Sequence, residues 1–367
     1  MRRISLSLLT LLFAGCTTTP VVKKHLEPTV FPYKQEEVVF TNPKGGNKLA
    51  GTLTAPANGK VSKIVVLITG SGPQNRNEEI KELNLRPFLV LSDWLTRNGI
   101  AVLRYDDRGV GKSTGVFATA TTADLADDAE AAVNYIHSRT DLKDLSIGLI
   151  GHSEGGVIAP MVASRNKVVS FICLLAGPGV PTPELMIQQA KDQIRLSGAS
   201  AQDTNLMRSG LQKIYRTIHD NVGLSSSELK IKLDTLLYRE ARNVPPRLLH
   251  GKSVDEVVKL TSAKYVSPWL RYFILFNPAD YLTKVKCPVL ALNGTLDIQV
   301  KNTTNLAAIK SALQKAGNNN HQEIALPGLN HCFQKAKTGA VSEYSQIYET
   351  MNPKALESVS TWINELK

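Results

Sequence analysis

The chain has 367 residues, 43% of them apolar, which is enough for one large α/β domain with an insertion or for two domains. Its formal charge is +11, from 43 Lys and Arg against 32 Asp and Glu. No basic run is interleaved with aromatics, so the excess reads as scattered surface charge and argues against nucleic-acid binding.

Residues 1–15 read as a signal peptide. Arg2 and Arg3 form a charged start, Ile4 to Phe13 an apolar stretch, and Ala14-Gly15 the small residues before Cys16. The apolar stretch is too short for an ordinary transmembrane helix. Small residues followed by cysteine resemble a bacterial lipobox, with Phe13 where leucine is usual. That resemblance implies a lipidated Cys16 as the mature N-terminus. Residues 16–35, with three prolines between Thr17 and Pro32, then read as a lipid-anchored tether. The expected location is the bacterial cell envelope, the alternative being a soluble periplasmic or secreted protein.

Past the tether, apolar runs alternate with helical patterns. Val38-Val39-Phe40 and Leu49 to Thr54 suit an opening hairpin. Ile64 to Ile68 reads as a buried strand, Arg86 to Asn98 as an amphipathic helix ending at Gly99, and Ile100 to Tyr105 as a strand. Leu125, Ala129, Ala132, Val133 and Ile136 share one helix face. Strands follow at 145–150, 171–175, 289–292 and 323–326. Strands alternating with helices predict a mainly parallel sheet covered on both faces. Between 181 and 280 the alternation stops, and charged and amide residues recur at helical spacing. That span is too long for a plain loop. It reads as a helical cap insertion over the carboxyl ends of the strands, dividing an α/β core into residues 36–180 and 281–367.

The most informative motif is Gly151-His152-Ser153-Glu154-Gly155, set between a strand and a helix. A serine on so sharp a turn stands clear of the backbone, and small residues two before and two after relieve the crowding. Serine needs a base oriented by an acid. Both are expected after the elbow, at carboxyl ends of strands, in the order acid then histidine. Asp297 follows the strand at 289–292 and His331 follows that at 323–326, so Ser153, Asp297 and His331 are the candidate catalytic set. His321 precedes its strand, at the wrong edge. Strand alternation turns His152 away from the serine, to a packing role or a place behind the catalytic residues. Asp280 lies before its strand, and His219 and His250 lie in the insertion. Cys173, Cys287 and Cys332 match no zinc pattern and no disulfide framework. Cys332 adjoins His331, but Ser153 makes a cysteine nucleophile redundant. No metal ligand set stands out.

An oxyanion hole needs two backbone donors. The Glu154 N–H, at the helix start, suits one. The Gly-rich loop Thr69 to Glu78 suits the other, at Ser71 with Gly72 next. Asp106 to Ser113 approaches a phosphate-loop pattern but has Asp106 where that pattern needs glycine. It reads as a turn whose aspartate and arginine satisfy loop backbone.

These motifs resemble those of bacterial α/β-hydrolases of the serine esterase type. The matching residues are Gly70-Ser71-Gly72-Pro73 with Arg76, Asp106-x-Arg108-Gly109-x-Gly111-x-Ser113, Gly151 to Gly156, Asn293-Gly294-x-x-Asp297 and Gly328-x-Asn330-His331. The resemblance spans residues 36–367 apart from the insertion. It implies an α/β-hydrolase fold with an eight-stranded sheet, a cap over the site and no cofactor. The substrate does not follow from these motifs; the preferred reading is a small-molecule ester with a short acyl group. Related branches cleave thioesters or peptides, and a non-catalytic binding lipoprotein is the reading from another class.

Overall fold

The structure is a computed structural model that describes residues 27–57, 61–249 and 251–367. The signal peptide, Cys16 and the first part of the tether lie outside the described residues. Two compact units are present, one bearing the sheet and one, Pro181–Phe276, made of helices.

The sheet-bearing unit opens with the antiparallel pair β1 (Lys34–Thr41) and β2 (Lys48–Ala55). Next come β3 (Lys63–Ile68), α1 (Pro87–Arg97) and β4 (Ala101–Tyr105). These are followed by α2 (Thr122–Ser138), β5 (Ser146–His152), α3 (Gly155–Ala163) and β6 (Val169–Leu175). The helical unit leaves the sheet after β6. It comprises α4 (Thr182–Leu196), α5 (Ala201–His219), α6 (Ser226–Ala241), α7 (Val254–Tyr265) and α8 (Pro268–Ile274). The chain returns through α9 (Ala279–Leu282), β7 (Val289–Gly294), α10 (Asn302–Lys315), β8 (His321–Leu326) and α11 (Pro353–Glu365). The helical unit ends at Phe276, whereas the sequence reading carried the insertion to 280. Residues 277–280, with the start of α9, belong to the sheet-bearing unit.

The eight strands are ordered β1-β2-β4-β3-β5-β6-β7-β8. From β4 to β8 every neighbouring pair is parallel, and β2 joins β4 antiparallel. Central strands such as Lys-Ile-Val-Val-Leu-Ile of β3 are buried along almost their whole length, because helices cover both faces. The edge strand β1 instead begins with exposed Lys34, Glu36 and Glu37, charges that discourage pairing with another sheet.

Phe88, Leu91 and Leu95 of α1 and Leu356, Val359 and Ile363 of α11 are buried against Val65, Leu67, Val102 and Phe171 on one face of the sheet. Burial of each such side chain contributes about 1.5–3 kcal/mol. On the other face α2 and α3 pack together against the central strands. Helix starts follow the local sequence. Thr121 and Asp124 form a capping box at α2, as do Ser225 with Glu228 at α6 and Ser253 with Glu256 at α7. Among the described residues no helix is long and apolar enough to cross a membrane.

Candidate active site

Because β3 to β8 run parallel, the loops that follow them all lie at one sheet edge. Ser153 follows β5, Asp297 follows β7 and His331 follows β8, so the three candidate residues share that edge.

At the first of these, the strand stops at His152 and Ser153 turns the chain with a φ of 53°. A non-glycine residue rarely adopts this left-handed conformation, and where it occurs the surroundings must enforce it. Close packing does so here. A Cβ at Gly151 would meet the Gly155 carbonyl oxygen at 1.9 Å, and one at Gly155 would meet that of Ile68 at 2.1 Å. The Ser153 N–H is held by the Leu175 carbonyl at 2.9 Å. With Glu154 as N-cap, α3 then starts directly behind the serine, and the leading N–H groups of a helix have no intrahelical acceptor.

Asp297 and His331 are brought together across two strand ends. His331 Nδ1–H donates to Asp297 Oδ2 at 2.8 Å. Asp297 Oδ1 accepts the N–H groups of Gln299 and Val300 at 2.8 and 2.9 Å. Both residues are buried. Since the carboxylate can only accept, the neutral imidazole carries its proton on Nδ1 and leaves Nε2 as a base. The two loops are zipped to each other: the Thr295 N–H donates to the Leu326 carbonyl, the Leu296 N–H to that of Leu329, and the Gly328 N–H to Thr295 Oγ1. Asn330, fully buried, accepts the N–H groups of Cys332 and Gln334 and so shapes the turn that presents His331.

The loop after β3, which carries Ser71, is shaped from the loop after β4. Asp107 accepts the Gln74 N–H at 2.9 Å and the Thr69 hydroxyl at 3.1 Å. Asp106 accepts the Arg76 N–H at 2.9 Å, and the Arg76 guanidinium forks onto the same carboxylate at 3.1 and 2.8 Å. Arg108 pairs with the buried Asp128 at 2.6 Å. The motif that approaches a phosphate loop therefore frames the neighbouring loop: its aspartates satisfy loop backbone, as expected, whereas Arg108 reaches α2. Burial drives the Asp107 carboxyl well above its ordinary value, and the nearby charges of Glu154 and Asp128 add to this.

Two residues flank the candidate set, and of these Glu78 carries no motif in the sequence. His152 takes the packing place expected of it, behind His331. Its ring lies 4.9 Å from that of His331, and its Nε2–H donates to the His331 carbonyl at 3.0 Å. Glu78 pairs with its other nitrogen at 2.8 Å. Burial opposes the imidazolium, but the charge and hydrogen bond of Glu78 outweigh it and raise the His152 pKa above 6.5. Of the other histidines, His321 starts β8 at the opposite sheet edge and pairs with Glu323. His219 is exposed on the helical unit beside Asp220, and His250 lies outside the described residues. The three cysteines of the described residues are unbridged, with Cys173 and Cys332 buried. Among those residues no group of three or more His, Cys, Asp or Glu is placed to hold a metal ion.

Comparison with known proteins agrees with this architecture. Residues 86–226 match the family described as serine aminopeptidase, S33. Esterase EstD of Thermotoga maritima is 26% identical over 285 residues, which make up 78% of this chain and 58% of that protein. The chain thus spans less than two thirds of that relative's length. Among solved structures, the Pyrococcus furiosus esterase Pf2001 aligns with a TM-score of 0.53 and 18% identity, over 95% of this chain and 98% of its own. A proline iminopeptidase from Mycobacterium smegmatis aligns with a TM-score of 0.51 and 14% identity, over 90% and 98%. At these identities the structural likeness speaks to the fold. The eight-stranded, mainly parallel sheet with helices on both faces is that of the α/β-hydrolase fold.

Proposed function

We propose that the protein is a serine hydrolase that cleaves carboxylic esters. The observation that carries the reading is the Asp297–His331 hydrogen bond, set at the same sheet edge as a serine on a left-handed turn. The comparison with Esterase EstD supports ester chemistry. Ser153 Oγ attacks the acyl carbonyl while His331 Nε2 takes its proton. The N–H groups of Ser71 and Glu154 receive the negative oxygen of the tetrahedral intermediate. His331 returns the proton to the departing alcohol, leaving an acyl-enzyme. Water, deprotonated by the same imidazole, then releases the acid and restores Ser153. No cofactor enters these steps.

A fluorophosphonate probe tests the assignment. It is expected to label Ser153, and Ser153→Ala is expected to lose both labelling and nearly all ester turnover. A well-folded alanine variant that still turned over would overturn it. A peptidase reading has its own support in the serine aminopeptidase match over residues 86–226, and an acyl-thioesterase shares the same chemistry. An aminoacyl anilide and a thioester, assayed beside an ester, separate the three.

The cell-envelope location belongs to this proposal. Cys16 lipidation would hold the enzyme on a membrane through the tether, and Cys16→Ser is expected to leave unprocessed precursor. A soluble mature wild-type protein with an unmodified N-terminus would refute the anchor.

A further inference from the structure

Glu78 carries two costly features at once. It is a non-glycine residue with a φ of 51°, and it is a buried acid, 3% exposed. Its Oε2 has no hydrogen-bond partner among the described residues. Such features persist only where surrounding contacts enforce them, and they gather at functional sites. The local turn supplies part of the enforcement. Asn75 Oδ1 accepts the N–H groups of Asn77 and Glu79, and the Glu78 N–H donates to the Asn75 carbonyl at 2.8 Å.

The result is a hub. Glu78 Oε1 accepts the Gly70 N–H at 2.7 Å and takes His152 Nδ1 at 2.8 Å. His152 Nε2–H reaches the His331 carbonyl at 3.0 Å. A carbonyl oxygen cannot donate, so the Nε2 proton is fixed, and the second ring nitrogen faces the carboxylate. Gly70 sits at the centre of the group. A Cβ there would lie 3.2 Å from Glu78 Oε1, 3.3 Å from Ser153 Cβ and 3.6 Å from His152 Nδ1. One carboxylate oxygen thereby ties together the backbone just before Ser71, the residue just before the nucleophile, and the backbone of the base itself.

We infer that the Glu78–His152 pair is a positioning device that holds the oxyanion loop and the His331 backbone in register with Ser153. The inference rests on the serine-hydrolase reading. Neither side chain needs to touch substrate. Both act through the placement of groups that do, and in such sites misplacement by about 1 Å costs about 100-fold in rate. A purely structural role would leave the turnover of folded variants unchanged.

The test is a mutant cycle on the full mature chain, with a p-nitrophenyl ester as substrate and thermal melting to establish folding. Glu78→Ala and His152→Ala are each expected to lower kcat by about 100-fold while KM stays within about threefold, because ground-state binding is untouched. The double variant is expected to be little worse than either single, since the two act as one unit. Glu78→Gln keeps an acceptor for the Gly70 N–H and is expected to recover about 10-fold of the loss, as is His152→Gln, whose amide can reach the His331 carbonyl. If the alanine variants do not fold, the two glutamine variants and their combination carry the same test of non-additivity. Folded variants with near-wild-type kcat, losses confined to KM, or losses that multiply in the double variant would each overturn the inference. Wild-type labelling at Ser153 keeps the outcomes apart. If the wild type is not labelled there, it is the serine-hydrolase reading that fails.

Discussion

Asp297 grips His331 with one carboxylate oxygen and its own loop with the other. The Nδ1–H of His331 donates to Oδ2 at 2.8 Å, and the backbone N–H groups of Gln299 and Val300 fill Oδ1. The carboxylate cannot rotate without breaking two backbone bonds, so the imidazole is held in one tautomer. Asp297→Asn keeps the oxygen that faces the backbone and turns an N–H toward His331. The ring must then carry its proton on Nε2, the atom required as base. Folding is expected to survive, while kcat falls by about 10⁴. The measurement is kcat for a p-nitrophenyl ester, with the melting transition as control. An asparagine variant of near-normal kcat would remove Asp297 from the catalytic set.

The elbow is enforced by packing, and this can be measured as stability. Gly151→Ala places a methyl group 1.9 Å from the Gly155 carbonyl oxygen. Both are backbone-bound, so the sheet and α3 must part. The expected cost is about 3 kcal/mol or more by urea denaturation. Gly210 gives the opposite result. It lies inside α5 with nothing within 4 Å of a built Cβ. Gly210→Ala is expected to stabilise by about 0.5–1 kcal/mol through helix propensity and chain entropy. If both substitutions behaved alike, close packing would not be what holds the turn.

These two glycines show why much of the fold was readable in the sequence. Runs such as Ile64 to Ile68 are buried on both faces, so the apolar signal is continuous and strand positions are plain. The same signal cannot rank strands in space, because β3 lies between β4 and β5 only through its crossover connections. Asp297 and His331 were legible because each follows a strand end. Glu78 was not, since it sits in a loop without periodicity and reaches the site through a left-handed backbone. His152 was legible as a packing residue behind the catalytic set, and its ring packs on that of His331; its carboxylate partner was not.

Asp106 supplies a pH test of the loop that carries Ser71. Burial alone would raise its pKa, but the Arg76 guanidinium and the backbone N–H groups of Arg76 and Lys112 outweigh burial and lower it below 3.8. In the unfolded chain the carboxyl takes up a proton before the folded one does. Its stabilising contribution is therefore present above pH 3.8 and is lost as pH falls through the lower folded value. Asp106→Asn breaks the fork with Arg76. It is expected to cost about 2 kcal/mol at neutral pH, and the gap to the wild type is expected to narrow below pH 3.8. A gap that stayed constant down to acid unfolding would place the stabilisation in the shape of the side chain and not in its charge.

The last prediction concerns the acyl group. The aromatic stretch of the helical unit is mostly consumed by packing: Tyr265, Leu270, Phe273, Ile274 and Phe276 are buried. Tyr265 lies edge-on to Tyr215, and Trp269 stacks on Phe273 at 5.0 Å. Side chains committed in this way are not free to bind a long acyl chain. The proposed esterase reading is for short acyl groups, and each misfitting methylene is expected to cost about 10-fold or more in kcat/KM. The measurement is kcat/KM for p-nitrophenyl acetate, butyrate, octanoate and palmitate, beside an aminoacyl p-nitroanilide. Acetate or butyrate is expected to lead, with palmitate and the anilide last. Palmitate in first place would overturn the short-acyl reading. The anilide in first place would transfer the site to peptide chemistry, leaving the roles of Ser153, His331 and Asp297 as they stand and changing only the bond they break.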